Sequence, residues 1–407
     1  MSNEPAQDGA YAWRRLLLSL ALATTGGVGL WSAVVVLPAI QAEFGIDRSG
    51  ASLPYTATML GFAVGGIAMG RLADRVGIRP PLLVGSLALG AGYLLAAAAP
   101  SFALFVFAQA VLVGMLGSSA TFAPLVADVS HWFLRRRGIA VAIVASGNYL
   151  AGTIWPPLLE FLIRTQGWRM AHLVVGLVCL AVMVPLALLL GRRPVIAAGT
   201  LAQPVSLAAG VSRLSPATLQ AVLVLAGLAC CIAMAMPQVH LVAWCTDLGY
   251  GPARGAEMLA LMLGLGVVSR LASGLLADRI GGLATLILGS ALQSVALALY
   301  LPFDGLVSLY LVSALFGLAQ GGIVPSYALV VRDHFPAREA GTRVSLVLMA
   351  TIVGMAAGGW LSGELYDRTG SYALALLHGI GWNLVNLALA LLVLLARRRP
   401  STAPQPV

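Results

Sequence analysis

This sequence predicts an all-α integral membrane fold of twelve transmembrane helices in two six-helix pseudo-symmetric bundles, on three observations. The 407 residues are 59% hydrophobic and only 10% charged, with a mean hydropathy of +0.93. A soluble chain of this length could not bury that much apolar surface in one or two cores. Apolar runs of about 20 residues, the length that spans a bilayer as a helix, recur from end to end with short breaks between them. The chain also repeats itself: Gly70-Arg-Leu-Ala-Asp74-Arg75-Val-Gly77 returns 204 positions on as Gly274-Leu-Leu-Ala-Asp278-Arg279-Ile-Gly281. Glu43-Phe-Gly45 returns as Asp247-Leu-Gly249 at the same offset. An internal repeat of this kind in a membrane chain marks two copies of one bundle.

Taken in order, the runs place helices near 15–42, 51–70, 81–99, 102–127, 138–163, 170–191, 216–245, 255–277, 282–301, 306–331, 342–365 and 373–396. The longest break, 192–215, is rich in Pro, Ala and Gly and divides a bundle over 15–191 from one over 216–396, with tails at 1–14 and 397–407. Gly117 to Pro124 in the fourth helix has a small-residue counterpart ending at Pro325 in the tenth, 201 positions on.

All 24 basic residues are arginine. With the N-terminus placed inside, eighteen fall in inner loops and tails, and five, Arg48, Arg164, Arg169, Arg254 and Arg368, in outer ones. That asymmetry predicts cytoplasmic termini. The polar opening, Met1 to Ala10, has no basic n-region, so a cleaved signal peptide is not expected. The net charge of +9 comes from isolated turns, not from a continuous basic face, which argues against nucleic acid as a partner. Cys179, Cys230, Cys231 and Cys245 lie in or beside apolar runs and read as packing residues; neither a disulfide framework, a metal site nor a cofactor is expected. No nucleophile elbow, phosphate loop or metal-binding His-Glu helix is found, so the chain is not expected to be an enzyme.

Arg270 is the one arginine that topology does not explain. No other charge occurs from Met258 to Ala277, so the spacing predicts a guanidinium roughly 12 Å inside a spanning helix. A charge there costs about 2.5 kcal/mol or more, so it should face a cavity and meet an anion. The guanidinium fork suits a carboxylate and stays charged at any working pH. The alternative, an arginine snorkelling to an interface, must reach across several helical turns.

The Gly-x-Leu-Ala-Asp-Arg-x-Gly turn, its second-half copy and the six-plus-six layout resemble the major facilitator superfamily. By that resemblance Asp74, Arg75 and Arg79, with Asp278 and Arg279, are gating residues that bridge helix ends when the inner side shuts. Asp74 suits a helix N-terminus. Asp8-Gly9-Ala10-Tyr11-Ala12-Trp13 is similar to the signature ahead of the first helix of monocarboxylate porters, with Ala10 departing from the usual Gly or Ser. Trp132-Phe133-Leu-Arg135-Arg136-Arg137-Gly-Ile-Ala140 resembles their second signature, with Trp132 and Ala142 as departures. These stretches resemble a bacterial branch of the monocarboxylate porter and oxalate/formate antiporter group. Tyr11, Trp13 and Arg135 to Arg137 also fit an interfacial belt and a positive-inside anchor.

The resemblance puts Arg270 where such porters hold the substrate carboxylate. It also implies a lining of Phe122 and Tyr327, with Tyr55, Asn148 and Trp360 among further candidates. Where proton-coupled members carry an acid, one turn before the arginine, this chain has Gly266; if protons are coupled, the carrier is then sought elsewhere, first at His240 and otherwise at Asp128, His131 or His378. No lysine stands in the eleventh helix, where a second cation would suit a dianion.

The expectation is therefore a monomeric, multi-pass protein of a bacterial inner membrane that moves a small organic monoanion of the lactate or pyruvate kind, with a proton as co-substrate. An anion exchanger of the oxalate/formate type, a drug/proton antiporter (from Gly147, Gly152, Pro156 and Pro157) and a non-transporting sensor remain open.

Overall fold

The computed structural model describes residues 8–133, 135–190 and 213–396, apart from the side chains of Arg137, Ala337, Arg338 and Ala340. Most of the 192–215 linker and the tails at 1–7 and 397–407 lie outside the described residues. Twelve helices there are long and apolar enough to cross a membrane. They are α1 Ala10–Phe44, α2 Arg48–Val76, α3 Arg79–Ala98, α4 Phe102–Trp132, α5 Gly138–Gln166 and α6 Trp168–Leu189. The second set is α7 Pro216–Asp247, α8 Pro252–Ile280, α9 Gly282–Leu299, α10 Leu306–His334, α11 Gly341–Thr369 and α12 Ala373–Leu395. No strand occurs among the described residues. Large apolar side chains such as Leu17, Leu275 and Val307 stand exposed, as a bilayer-embedded surface requires.

The helices begin and end where the sequence has caps. Asp47 accepts from Gly50 N at the start of α2, Ser101 caps α4, and Ser215 caps α7 ahead of Pro216. Gly45, Gly77, Gly167, Gly281 and Gly370 supply the positive φ at the turns.

The repeat is visible in the packing. α2 lies against α4 as α8 lies against α10, and the two sets meet through α2 with α11, α5 with α8, and α1 with α7. Both copies of the repeated small-residue run break their helix. α4 widens to π-helical winding over Ala108–Gly117, tightens over Ser118–Thr121 and breaks at Phe122 before Pro124. In α10 the break falls at Gly321 and Gly322, between Gln320 and Ile323.

One face of the molecule carries the start of α1 and the finish of α12, where Arg213 N donates to Ala396 O; we term it the terminal face. At the opposite face the sets meet where Asp367 of α11 accepts from the backbone N–H of Arg48 at the start of α2, and deeper along the same two helices Thr56 Oγ1 donates to Ala356 O.

Candidate functional site

Arg270 sits on α8 facing α5. Its Nη1 donates to Ala145 O at 2.8 Å, its Nε reaches Gly321 O at 3.5 Å, and its guanidinium carbon lies 4.0 Å from the centre of the Tyr149 ring. Two glycines make this geometry possible. A side chain at Gly266, one turn along α8, would meet the Tyr149 ring at 3.3 Å, so the glycine leaves the ring its place beneath Arg270. A Cβ at Gly321 would lie 2.4 Å from Gly266 O, so only glycine lets the broken backbone of α10 press against α8 there. Ser269 Oγ closes the same contact by donating to Leu318 O at 2.6 Å.

No acid among the described residues pairs with Arg270; its hydrogen bonds go to carbonyl oxygens. Carbonyl dipoles and a ring face stabilise a cation without neutralising it. Residue 66, which the 204-position offset sets in register with Arg270, is a glycine with open space where a Cβ would be.

The other expected lining residues are dispersed. Phe122 stands half-buried at the α4 break and stacks on Phe62 of α2, ring centres 6.1 Å apart. Asn148 neighbours Tyr149 on α5 and accepts from Trp31 Nε1 of α1 through its side-chain oxygen at 3.2 Å and its backbone oxygen at 3.0 Å. Tyr55 of α2 packs against Gly359 of α11, and its buried hydroxyl has no partner among the described residues. Tyr327 is fully buried, and its hydroxyl donates to Asn386 of α12, which in turn donates to Ser290 Oγ of α9. That network lies within the second set. Trp360 lies apart from the Arg270 contacts. It is 38% exposed, in line along α11 with Leu346 and Val353, and such a row of large exposed apolar side chains reads as lipid-facing.

The proton-carrier candidates separate as well. Asp128 is held by Arg15, Nε to Oδ2 at 2.7 Å and Nη2 to Oδ1 at 2.8 Å, under the Trp132 ring. This pair belongs to a clasp that joins the two porter-like signatures. Asp8 accepts from Arg135 N and Arg136 N, Tyr11 packs on Trp132, and Trp13 meets Phe133 edge-on. The clasp is internal to the first set. His378 accepts from Trp382 Nε1 of its own helix at 2.8 Å. His240 is fully buried, with Nε2 2.7 Å from Gly359 O and Nδ1 3.5 Å from the Tyr372 hydroxyl.

At the terminal face Asp74, Arg75, Arg79, Asp278 and Arg279 are exposed, and among the described residues none forms an ion pair. The opposite face is shut by residues that counting charges by loop passes over. Arg48 donates to Asp247 Oδ1 at 2.9 Å and to the Tyr372 hydroxyl at 2.8 Å, and stacks on Tyr366. Asp367 accepts from the backbone N–H of Arg48 and of Ser49, capping the start of α2 from the second set. The one sequence signal for this cluster was Asp247 inside the repeated acid-x-Gly stretch.

Among the described residues no group of His, Cys, Asp and Glu is placed to hold a metal ion.

The chain matches the Major Facilitator Superfamily family model over residues 17–303 and 246–407. It is 30% identical to monocarboxylate transporter 13 of Bos taurus over 312 residues, 74% of this chain and 70% of that one. It is also 30% identical to monocarboxylate transporter 11 of Mus musculus over 404 residues, 93% of this chain and 86% of that one. In fold it resembles a bacterial homologue of the human lysosomal transporter Spinster, crystallised inward-facing and occupied. That likeness has a TM-score of 0.72 at 15% identity and covers 95% of this chain and 98% of that one.

Proposed function

This chain belongs to the major facilitator superfamily, and from that premise we propose that it is a secondary transporter of one small monocarboxylate, moved with a proton by alternating access. One observation carries the reading: Arg270 is a permanent cation inside a membrane span, on the seam between the sets, and no carboxylate among the described residues pairs with it. An organic anion entering from the terminal face supplies the missing charge. A single cation, with Gly66 in register in the first set, favours a monoanion. The names of the relatives from Bos taurus and Mus musculus support the same class.

In this reading Arg270 grips the carboxylate, Tyr149 holds the guanidinium in place, Phe62 and Phe122 form an apolar wall, and Tyr55 offers a second donor. The terminal face is cytoplasmic and open, and its Asp74, Arg75, Arg79, Asp278 and Arg279 pair when it shuts. The arginine asymmetry supports that orientation in the membrane, and a bacterial inner membrane fits it.

The test is ligand stabilisation of the purified protein over a series of short to medium carboxylates, repeated on Arg270→Ala, with lactate and pyruvate uptake into proteoliposomes under an imposed pH gradient. The reading expects carboxylate stabilisation lost in the variant and uptake that follows the gradient. Equal stabilisation of both proteins would remove Arg270 from the site. Anion exchange is the second reading, favoured by Gly266, which leaves no acid beside Arg270; rapid counterflow without gradient-driven net uptake would establish it.

A further inference from the structure

We propose that His240 is the proton site of this carrier and that it acts through Tyr372 on Arg48, so that a proton bound in the second set releases the latch that closes the face opposite the termini.

The hydrogen bonds define the protonation pattern. Gly359 O can only accept, so the 2.7 Å contact requires a proton on His240 Nε2. In the neutral imidazole Nδ1 is then an acceptor, and the Tyr372 hydroxyl 3.5 Å away turns its hydrogen toward it. The same phenol oxygen accepts from Arg48 Nη1 at 2.8 Å. One hydroxyl thus joins a titratable ring of α7 to the cation of α2.

The charges around the ring give the direction of coupling. Arg48 of α2 and Asp367 of α11 act on the ring and Tyr372 of α12 packs against it, with Tyr366 of α11 against Tyr372 and Arg48; its own helix ends in Asp247, which Arg48 holds. α1 meets α7 with apolar Leu37 against Ala243, and α8 brings Gly255 and Met258. With His240 neutral, the second set presents two carboxylates to a cation of the first, and the attraction pulls the sets together. A proton on Nδ1 gives the second set a cation of its own among those carboxylates. Nδ1 also changes from acceptor to donor, so imidazolium and guanidinium then aim at one phenol oxygen. Both changes weaken the hold on Arg48. By linkage, the shut latch disfavours the proton and the released latch favours it. That is the alternation of affinity a symporter needs.

This inference rests on the proposed symport for its meaning in transport, but its test needs no substrate. The four native cysteines are buried, so Ala42→Cys on α1 and Leu374→Cys on α12, both at exposed positions near the latch, can carry spin labels in the full chain in lipid nanodiscs. Distances are then measured between about pH 5 and pH 8, the range in which a histidine titrates. Acidification should raise the open-to-shut ratio by about fivefold or more, the lower end of ordinary coupling between sites. His240→Gln should abolish the pH response. Tyr372→Phe, which keeps the ring and removes the shared oxygen, should favour the open form at neutral pH and blunt the response. A distance distribution indifferent to pH in the parent, or a response unchanged in either variant, overturns the proposal. Loss of the pH response with Arg270-dependent carboxylate stabilisation intact would refute the latch alone; the reverse would refute the carboxylate reading alone.

Discussion

The guanidinium of Arg270 lies 4.0 Å from the centre of the Tyr149 ring on the facing helix, so the cation is held by the opposite set of helices before any anion arrives. A desolvated cation over an aromatic face is worth about 2 kcal/mol. Tyr149→Leu should therefore weaken carboxylate binding by roughly tenfold or more, whereas Tyr149→Phe should stay close to the parent. Arg270→Lys keeps the charge but loses the fork; losing a charge-assisted hydrogen bond costs about 1.5–3 kcal/mol. Titration of each variant by ligand-induced change in melting temperature gives both numbers.

The break in α10 is expected to be intolerant of even one added carbon. A Cβ at Gly321 would sit 2.4 Å from Gly266 O, a backbone atom that cannot move aside as a side chain would. Gly321→Ala should cost about 1–3 kcal/mol of stability and weaken carboxylate binding, because α10 is pushed off α8 beside Arg270. Gly70→Ala makes the control. It adds a Cβ into open space on a helix, so it should leave stability unchanged or raise it by up to about 1 kcal/mol. Thermal unfolding of both variants decides between them.

Arg15 and Asp128 form a buried bidentate pair inside the first set, and its removal should affect folding before it affects coupling. Removing one partner strands a buried charge, at about 3–5 kcal/mol. Asp128→Asn should therefore lower yield and melting temperature. The double replacement Arg15→Met with Asp128→Leu should recover most of the loss. If the recovered protein also retains gradient-driven uptake, Asp128 is excluded as the proton carrier. If it folds and exchanges substrate but no longer follows the gradient, Asp128 carries the proton after all.

How much of this was legible depended on the range of the interaction. The twelve helices were legible because a spanning helix announces itself within about 20 consecutive residues. The break sites were legible as a repeated small-residue run, and Arg270 as a charge in an otherwise uncharged stretch. Arg48 was not, because a count of charges by loop treats it as one more outer arginine. Its partners Asp247, Asp367 and Tyr372 lie 199, 319 and 324 positions away, and no local pattern links them. Tyr327 shows another limit: resemblance suggests which helix a residue is on, but its orientation depends on neighbours such as Asn386. The two porter-like signatures were legible as signatures, yet only the fold reveals that each is the other's packing partner.

Trp360 offers the sharpest test of that limit. Successive residues of a helix turn by about 100°, so a correct helix assignment still leaves the direction of the side chain open. On α11, Ala356 and Gly359 meet α2, Gly354 and Gly358 meet α7, and Trp360 falls in the exposed row with Leu346 and Val353. On this placement the indole is expected to face acyl chains. Trp360→Leu keeps the row apolar, and its effect on stability should stay within about 0.5 kcal/mol, as for a surface substitution without special contacts. Uptake kinetics should match the parent in both KM and maximal rate. A raised KM with stability unchanged would return Trp360 to the substrate path and require α11 to rotate during the cycle.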